Sequence, residues 1–189
     1  DSSTWEYDGT NWTERAVSGP GRRFSGVMAY DEARGRTVYF GGYDQALGTS
    51  NDTWTWDGST WQQSTPLTSP PARTDGHMAY DATRQLAVLF SGVVASGAVP
   101  DTWEWNGVDW HQSSPGHTPS GRYGAGFAYD TTRQRAVLFG GYSSAVVLSD
   151  TWLYSAQLLQ GSDCTSAAGC ATGFCVDGVC CNSACTGQC

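Results

Sequence analysis

Seven cysteines are packed into residues 164–189, and none comes earlier. They are Cys164, Cys170, Cys175, Cys180, Cys181, Cys185 and Cys189. A segment this short cannot bury enough apolar surface to fold unaided. Disulfide bonding or metal ligation would compensate. No C-x2-C pair occurs, so disulfides are favoured over zinc. Disulfides persist only in oxidising surroundings, which predicts a secreted or cell-surface protein. The odd count implies a free thiol, a bridge to another chain, or a natural chain that continues past Cys189.

The remaining reactive side chains form no catalytic constellation. There is no lysine among the ten basic residues, which excludes Schiff-base chemistry. His77, His111 and His117 have no metal-site spacing. No G-x-S-x-G elbow, P-loop or H-E-x-x-H is present. Acidic residues recur at turns, but nothing selects the carboxylate pair a glycosidase needs. The sequence therefore predicts no enzyme activity, no cofactor and no metal. A formal net charge of −8 repels phosphate backbones, so no nucleic acid is expected as a partner. No apolar run reaches the length that spans a bilayer, so no membrane insertion is expected either. No signal peptide is present, and a chain that opens at Asp1 reads as a mature, trimmed or partial product.

The elements that would position any site follow from a repeat. "MAYD" at Met28–Asp31 returns at Met78–Asp81, and as "FAYD" at Phe127–Asp130. "VYFGG" at Val38–Gly42 answers "VLFSG" at Val88–Gly92 and "VLFGG" at Val137–Gly141. "DTW" begins at Asp52, Asp101 and Asp150, so the period is 49 or 50 residues. Each unit reads as four short strands. Strand a ends in A-Y-D, and strand b ends in the Gly-Gly or Ser-Gly doublet. Strand c carries T-W-x-[WY], and strand d begins at Trp12, Trp61 or Trp110. Asp8-Gly9, Asp57-Gly58 and Asn106-Gly107 predict type I′ turns between c and d. Short four-stranded units at this period are the mark of propeller blades.

The doublet, the strand-c aromatic, the strand-d tryptophan and the arginine ahead of strand a (Arg23, Arg73, Arg122) together resemble the kelch repeat. The likeness is greatest to its bacterial form, in which "DTWEWNG..W" and "YD..R...VLFGG" alternate. It covers residues 1 to about 155, with Ser91 departing from the doublet, a change expected to need a local backbone adjustment. The tail, with its "GFCVDGVCC" core, is similar to cysteine-rich segments of large secreted or surface proteins of Gram-negative bacteria. Some kelch propellers are copper radical oxidases, which need a propeller cysteine; residues 1–163 have none.

The expected architecture is all-β, with about three and a half kelch-type blades and a small disulfide-rich tail. The divisions are strands c–d in 1–23, blades in 24–65, 74–114 and 123–155, a linker in 156–163, and the cysteine segment in 164–189. Residues 156–160 are a candidate last strand. A propeller closes with about four to eight blades. The chain is accordingly expected to be part of a longer propeller, to take blades from a partner, or to share strands with its own copies in a ring or fibre.

Trp54, Trp56, Trp61, Trp103, Trp105 and Trp110 repeat in every unit, which points to packing between blades rather than to a sugar platform. Arg23, Arg73 and Arg122 are structural in the family the chain resembles, and would otherwise line a polar channel mouth. Arg34, Arg84 and Arg133 would brace the a–b turns against Asp31, Asp81 and Asp130. Variation concentrates in the b–c loops, where recognition on a rigid scaffold usually resides. Tyr43, Asp44, Val93, Val94, Tyr142, Val146, Val147 and Leu148 are therefore the contact candidates. The expected function is a non-enzymatic extracellular scaffold that binds a protein partner or its own copies. The rivals are a subunit of an extracellular fibre or ring, assembled by strand sharing or an intermolecular disulfide, and a carbohydrate-binding propeller or propeller enzyme, which would bring glycan as a further partner. Asn11-Trp12-Thr13 and Asn51-Asp52-Thr53 fit glycosylation sequons.

Overall fold

In a computed structural model of the chain, residues 2–15, 17–144, 146–155, 174–176 and 179–181 are described. Among them, all regular structure is β-strand, and every ladder is antiparallel. A hairpin of β1 (Thr4–Tyr7) and β2 (Trp12–Arg15) comes first. The first blade holds β3 (Val27–Asp31), β4 (Arg36–Phe40), β7 (Thr53–Trp56) and β8 (Trp61–Ser64), side by side in that order. The second holds β9 (His77–Asp81), β10 (Leu86–Phe90), β13 (Thr102–Trp105) and β14 (Trp110–Ser113). A three-stranded sheet of β15 (Gly126–Asp130), β16 (Arg135–Ser143) and β17 (Val146–Tyr154) follows.

Two-residue strands fill the b–c connections that read as loops in the sequence. They are β5 (Tyr43–Asp44) with β6 (Gly48–Thr49), and β11 (Val93–Val94) with β12 (Gly97–Ala98). In the third sheet the same hairpin is continuous with β16 and β17, interrupted by an irregularity between Phe139 and Gly141. Within the tail, β18 (Phe174–Val176) pairs with β19 (Val179–Cys181), in a register that places Cys175 opposite Cys180. The candidate strand at 156–160, the linker, and Cys164, Cys170, Cys185 and Cys189 lie outside the described residues.

The core lies between the two complete blades. Val38 and Phe40 of β4 meet Met78, Ala87, Leu89, Trp103, Trp105 and Trp110 of the second blade. Alternation is lost in β10, where Ala87 to Phe90 are all buried, because a neighbouring blade covers each face of that strand. The end sheets keep one open face, with Trp5, Tyr7 and Trp12 exposed on one and Phe139 and Leu153 on the other.

The tryptophans divide by role. Trp110 Nε1 donates to Thr53 Oγ1 of the preceding blade at 2.8 Å, as Trp61 Nε1 does to Thr4 Oγ1. Trp56 Nε1 reaches Glu6 in the same sense, at 2.8 Å. Trp54 and Trp103 instead donate within their own blades, to Asp52 and Asp101, the residue just ahead of each strand. The Tyr of the second and third A-Y-D also crosses between blades, a role the motif alone does not reveal. Tyr80 Oη accepts the Ala33 N–H, and Tyr129 Oη donates to Thr83 Oγ1.

Two expectations are corrected. The c–d turns are four-residue loops, not two-residue type I′ turns. Trp56 pairs with Trp61, and only Gly58 of the intervening residues has positive φ, at 91°. The cause is the Asp57 carboxylate, which accepts the Ser59 and Thr60 amides at 2.8 and 2.7 Å and closes the loop itself. Asn106 does the same for Val108 and Asp109.

Ser91, in turn, needs no backbone adjustment. Its φ of 57° lies in the left-handed region, beside 72° at Gly41 and 67° at Gly140. A Cβ at Gly41 would come within 2.6 Å of the Arg73 carbonyl. At Ser91 the hydroxyl makes use of the corresponding approach. Its Oγ donates to the Arg122 carbonyl at 2.9 Å and accepts the Arg122 amide at 2.8 Å.

Candidate functional site

Each blade's b–c rim is clamped by one arginine, buried in the second and third units and half-buried in the first. Arg73 spans both oxygens of Asp101, with Nη1 and Nη2 each at 2.7 Å, and Nη1 also meets the Ser91 carbonyl. Arg122 repeats this with Asp150 and the Gly140 carbonyl, whereas Arg23 reaches one oxygen of Asp52 and the Gly41 carbonyl through Nη1 alone. Arg73 and Arg122 are fully buried, so they do not line a channel mouth. Burial pushes the Asp101 carboxyl up, but hydrogen bonds from Arg73 and Trp103 outweigh it and hold the group below the ordinary carboxylate range. The clamp joins the residue ahead of strand a to the end of strand b and the start of strand c. It thereby sets both segments that build the rim.

On that rim the residue after each arginine bridges to the first residue of the b–c hairpin. The pairs are Phe24 with Tyr43, Thr74 with Val93, and Tyr123 with Tyr142. Phe24 and Tyr43 exchange backbone hydrogen bonds of 3.1 and 2.9 Å, and their rings lie 5.4 Å apart. Tyr123 and Tyr142 stack at 5.7 Å with an interplanar angle of 16°. Phe24, Tyr123, Tyr142, Val146 and Val147 are exposed. Val93, Val94 and Leu148 are half-buried and less available.

Asp44 is placed differently from the other contact candidates. Its carboxylate accepts the Ala46 and Leu47 amides at 2.7 and 2.8 Å, and these bonds keep it below the ordinary range. It braces its own hairpin and thereby presents Leu47, which is 87 % exposed at the tip. Phe24 and Tyr123 escape a reading of the sequence because Thr74 holds the matching place, whereas Leu47 lies within the variable b–c segment already expected to make contacts. The available signal is that Phe24 and Tyr123 each follow the repeated arginine. A cavity of about 550 Å³ opens beside Phe24, Tyr43 and Asp44. Another of about 270 Å³ lies between Phe24 and Val94. The rim is therefore a row of apolar and aromatic side chains on a backbone fixed by Arg–Asp ion pairs.

Five aspartates that recur near the blade edges, and one histidine, are tied into structural contacts. Asp52, Asp81, Asp101, Asp130 and Asp150 are each paired with an arginine and held below the ordinary range. A general acid needs the opposite shift. His77 is buried, and its Nε2 accepts the Ala125 amide at 2.9 Å. That leaves the proton on Nδ1, which donates to the Phe90 carbonyl. Burial, outweighing the Phe90 bond, keeps this imidazole neutral to lower pH than usual. Among the described residues no group of three or more His, Cys, Asp or Glu side chains is placed to hold a metal ion. Among them, too, no helix is long and apolar enough to cross a membrane.

A cavity of about 680 Å³ lies between the β1–β2 hairpin and the first blade, beside Glu6, Arg15, Tyr39 and Trp56. It opens along β1, which lacks the inner strands that cover β7 and β13. Against known proteins, the model of the KLHDC2/KLHL20/DRC7 Kelch-repeats domain matches residues 1–168. No curated protein matches the chain.

Proposed function

The chain belongs to the kelch-repeat family, and from that premise we propose that it is a non-enzymatic scaffold that binds a protein partner through its b–c rim. The observation that carries this reading is the exposed row formed by Phe24, Leu47, Tyr123, Tyr142, Val146 and Val147. These side chains stand on or beside hairpins that the Arg–Asp pairs hold in place, so little conformational freedom is lost on binding. Aromatic and aliphatic anchors on a rigid base suit a protein surface better than a polar ligand. The test is a rim variant, Leu47→Asp with Tyr142→Asp and Val147→Asp, compared with wild type in affinity capture with cross-linking. A partner that cross-links to the rim and is lost from the variant, with thermal stability unchanged, supports the reading. A partner retained by the variant overturns it.

The site of action in this proposal is extracellular or at a cell surface, with the tail cysteines in disulfides. Support comes from the confinement of all seven cysteines to residues 164–189. Intact mass after thiol alkylation without reductant tests it; seven alkylated thiols would sink it.

A second reading, edge-to-edge association of copies, is favoured by the open faces of the end sheets. Trp12 is 65 % exposed, while Trp110, at the corresponding position, is 2 % exposed. Light scattering across a concentration series tests this; a single monomeric species throughout would remove it.

A further inference from the structure

On the rim opposite the b–c hairpins, the three blade-to-blade contacts differ in one atom group. Positions 6, 55 and 104 correspond across the repeat, and they hold Glu6, Thr55 and Glu104. Their neighbours in the next blade are Trp56, Trp105 and Tyr154. Glu6 accepts Trp56 Nε1–H at 2.8 Å and Arg15 Nε–H at 2.7 Å. Glu104 accepts the Tyr154 hydroxyl at 2.6 Å and is ion-paired with Arg84. Twice, then, a carboxylate sits between an aromatic N–H or O–H and an arginine.

At the middle contact the aromatic donor and the arginine are present and the carboxylate is not. Trp105 is 1 % exposed, and its Nε1 has no hydrogen-bond partner. A buried N–H without a partner costs about 1–3 kcal/mol, so one is rarely left so without a reason. Arg34 corresponds to Arg84. It uses Nη1 on Asp31 and the Gln85 carbonyl, and it lies over Gly107, where a Cβ would come within 2.1 Å of its Nε. Between these groups is a cavity of about 260 Å³, lined by Asp31, Arg34, Arg36, Thr55, Trp105 and Gly107 among others. Asp31 is already paired with Arg34, so the two arginines leave one positive charge in excess.

We propose that this cleft binds a carboxylate, which takes the place that Thr55 leaves open and accepts the Trp105 N–H beside Arg34. The carboxylate belongs to a small organic acid or to an acidic side chain of a partner, and the site is separate from the b–c rim. Its chemistry is charge-assisted hydrogen bonding to a monoanion, with no bond made or broken.

The test observes the indole N–H resonance of Trp105, identified by its loss in Trp105→Phe. The intact protein is titrated with acetate, with N-acetylglutamate amide as the side-chain probe, and with N-acetylglutamine amide as the neutral control. A saturable shift with either carboxylate and none with the glutamine compound is expected. Saturation by acetate alone assigns the site to small acids, and saturation by the glutamate compound assigns it to acidic side chains. Thr55→Glu, which supplies the protein's own carboxylate, should abolish the response. Thr55→Val should retain it, and Arg34→Met should weaken it about tenfold or more. No saturable shift with either carboxylate would overturn the proposal. So would an undiminished response in Thr55→Glu.

Discussion

Arg73 meets both carboxylate oxygens of Asp101 at 2.7 Å, with the arginine 1 % exposed. This fork is a buried ion pair, so its worth appears when one partner is removed rather than as a net gain in stability. Asp101→Asn leaves the guanidinium without its counter-charge. Unfolding in denaturant should show a loss of about 3–5 kcal/mol. Arg73→Lys should lose much of the same, because an ammonium cannot span two oxygens. A change below about 1 kcal/mol in both variants would mean that the clamp does not hold the rim.

Ser91 offers a finer test, because strain and hydrogen bonding oppose each other there. Its left-handed backbone costs about 1–2 kcal/mol in a residue with a Cβ. The two bonds to Arg122 offset that cost. Ser91→Ala keeps the strain and loses the bonds, so it should destabilise by about 1–3 kcal/mol. Ser91→Gly loses the bonds and relieves the strain, so it should cost less than Ser91→Ala. Equilibrium denaturation of the pair gives the order, and the reverse order would show that the hydroxyl carries little.

Trp110 and Trp12 hold the same position in the repeat and should respond very differently. Trp110 is buried against Phe40, with ring centroids 5.2 Å apart, and donates to Thr53. Trp110→Ala should cost about 3–5 kcal/mol through the cavity it leaves. Trp12 touches Tyr7 and is otherwise open, so Trp12→Ala should cost under about 1 kcal/mol. Thermal unfolding of the two variants reads the contrast. In an assembly that buries the open face the Trp12 variant would also shift the oligomeric state.

How far the sequence reveals these features depends on whether a residue repeats. Trp54, Trp103 and the arginine ahead of strand a recur in each unit, so the strand order is visible without coordinates, and the resemblance to the kelch repeat implies the structural role of Arg73. The hairpins β5–β6 and β11–β12 are not, because two residues per strand carry no alternation. The turn after Trp56 is misread for another reason. An Asp-Gly pair suggests a tight hairpin, but the Asp57 side chain binds two later amides and lengthens the loop. Phe24 and Tyr123 are hidden because Thr74 occupies the matching place. Thr55 is visible as a departure from Glu6 and Glu104. Its meaning emerges only when Trp56 and Tyr154 are seen reaching for those carboxylates.

His77 makes stability depend on pH in a direction that can be worked out. Burial lowers its folded-state pKa below the ordinary 6.5, outweighing the bond to the Phe90 carbonyl, with the Arg122 charge acting in the same direction as burial. The unfolded chain therefore binds a proton that the folded chain refuses. The stabilisation is fully present above the unfolded value, near pH 6.5, and is lost as pH falls from there toward the folded value. Over that window unfolding free energy should fall with a slope approaching about 1.4 kcal/mol per pH unit from this group. Protonation would also put a second N–H where Nε2 now accepts the Ala125 amide, so the contact between β9 and the segment leading into β15 should open first. His77→Val, the residue found at the matching Val27, should lower stability at neutral pH and flatten the slope. Denaturation series between about pH 5 and 7.5 for both proteins provide the check, since they bracket the ordinary histidine range. Parallel curves for the two would show that another group carries the acid sensitivity.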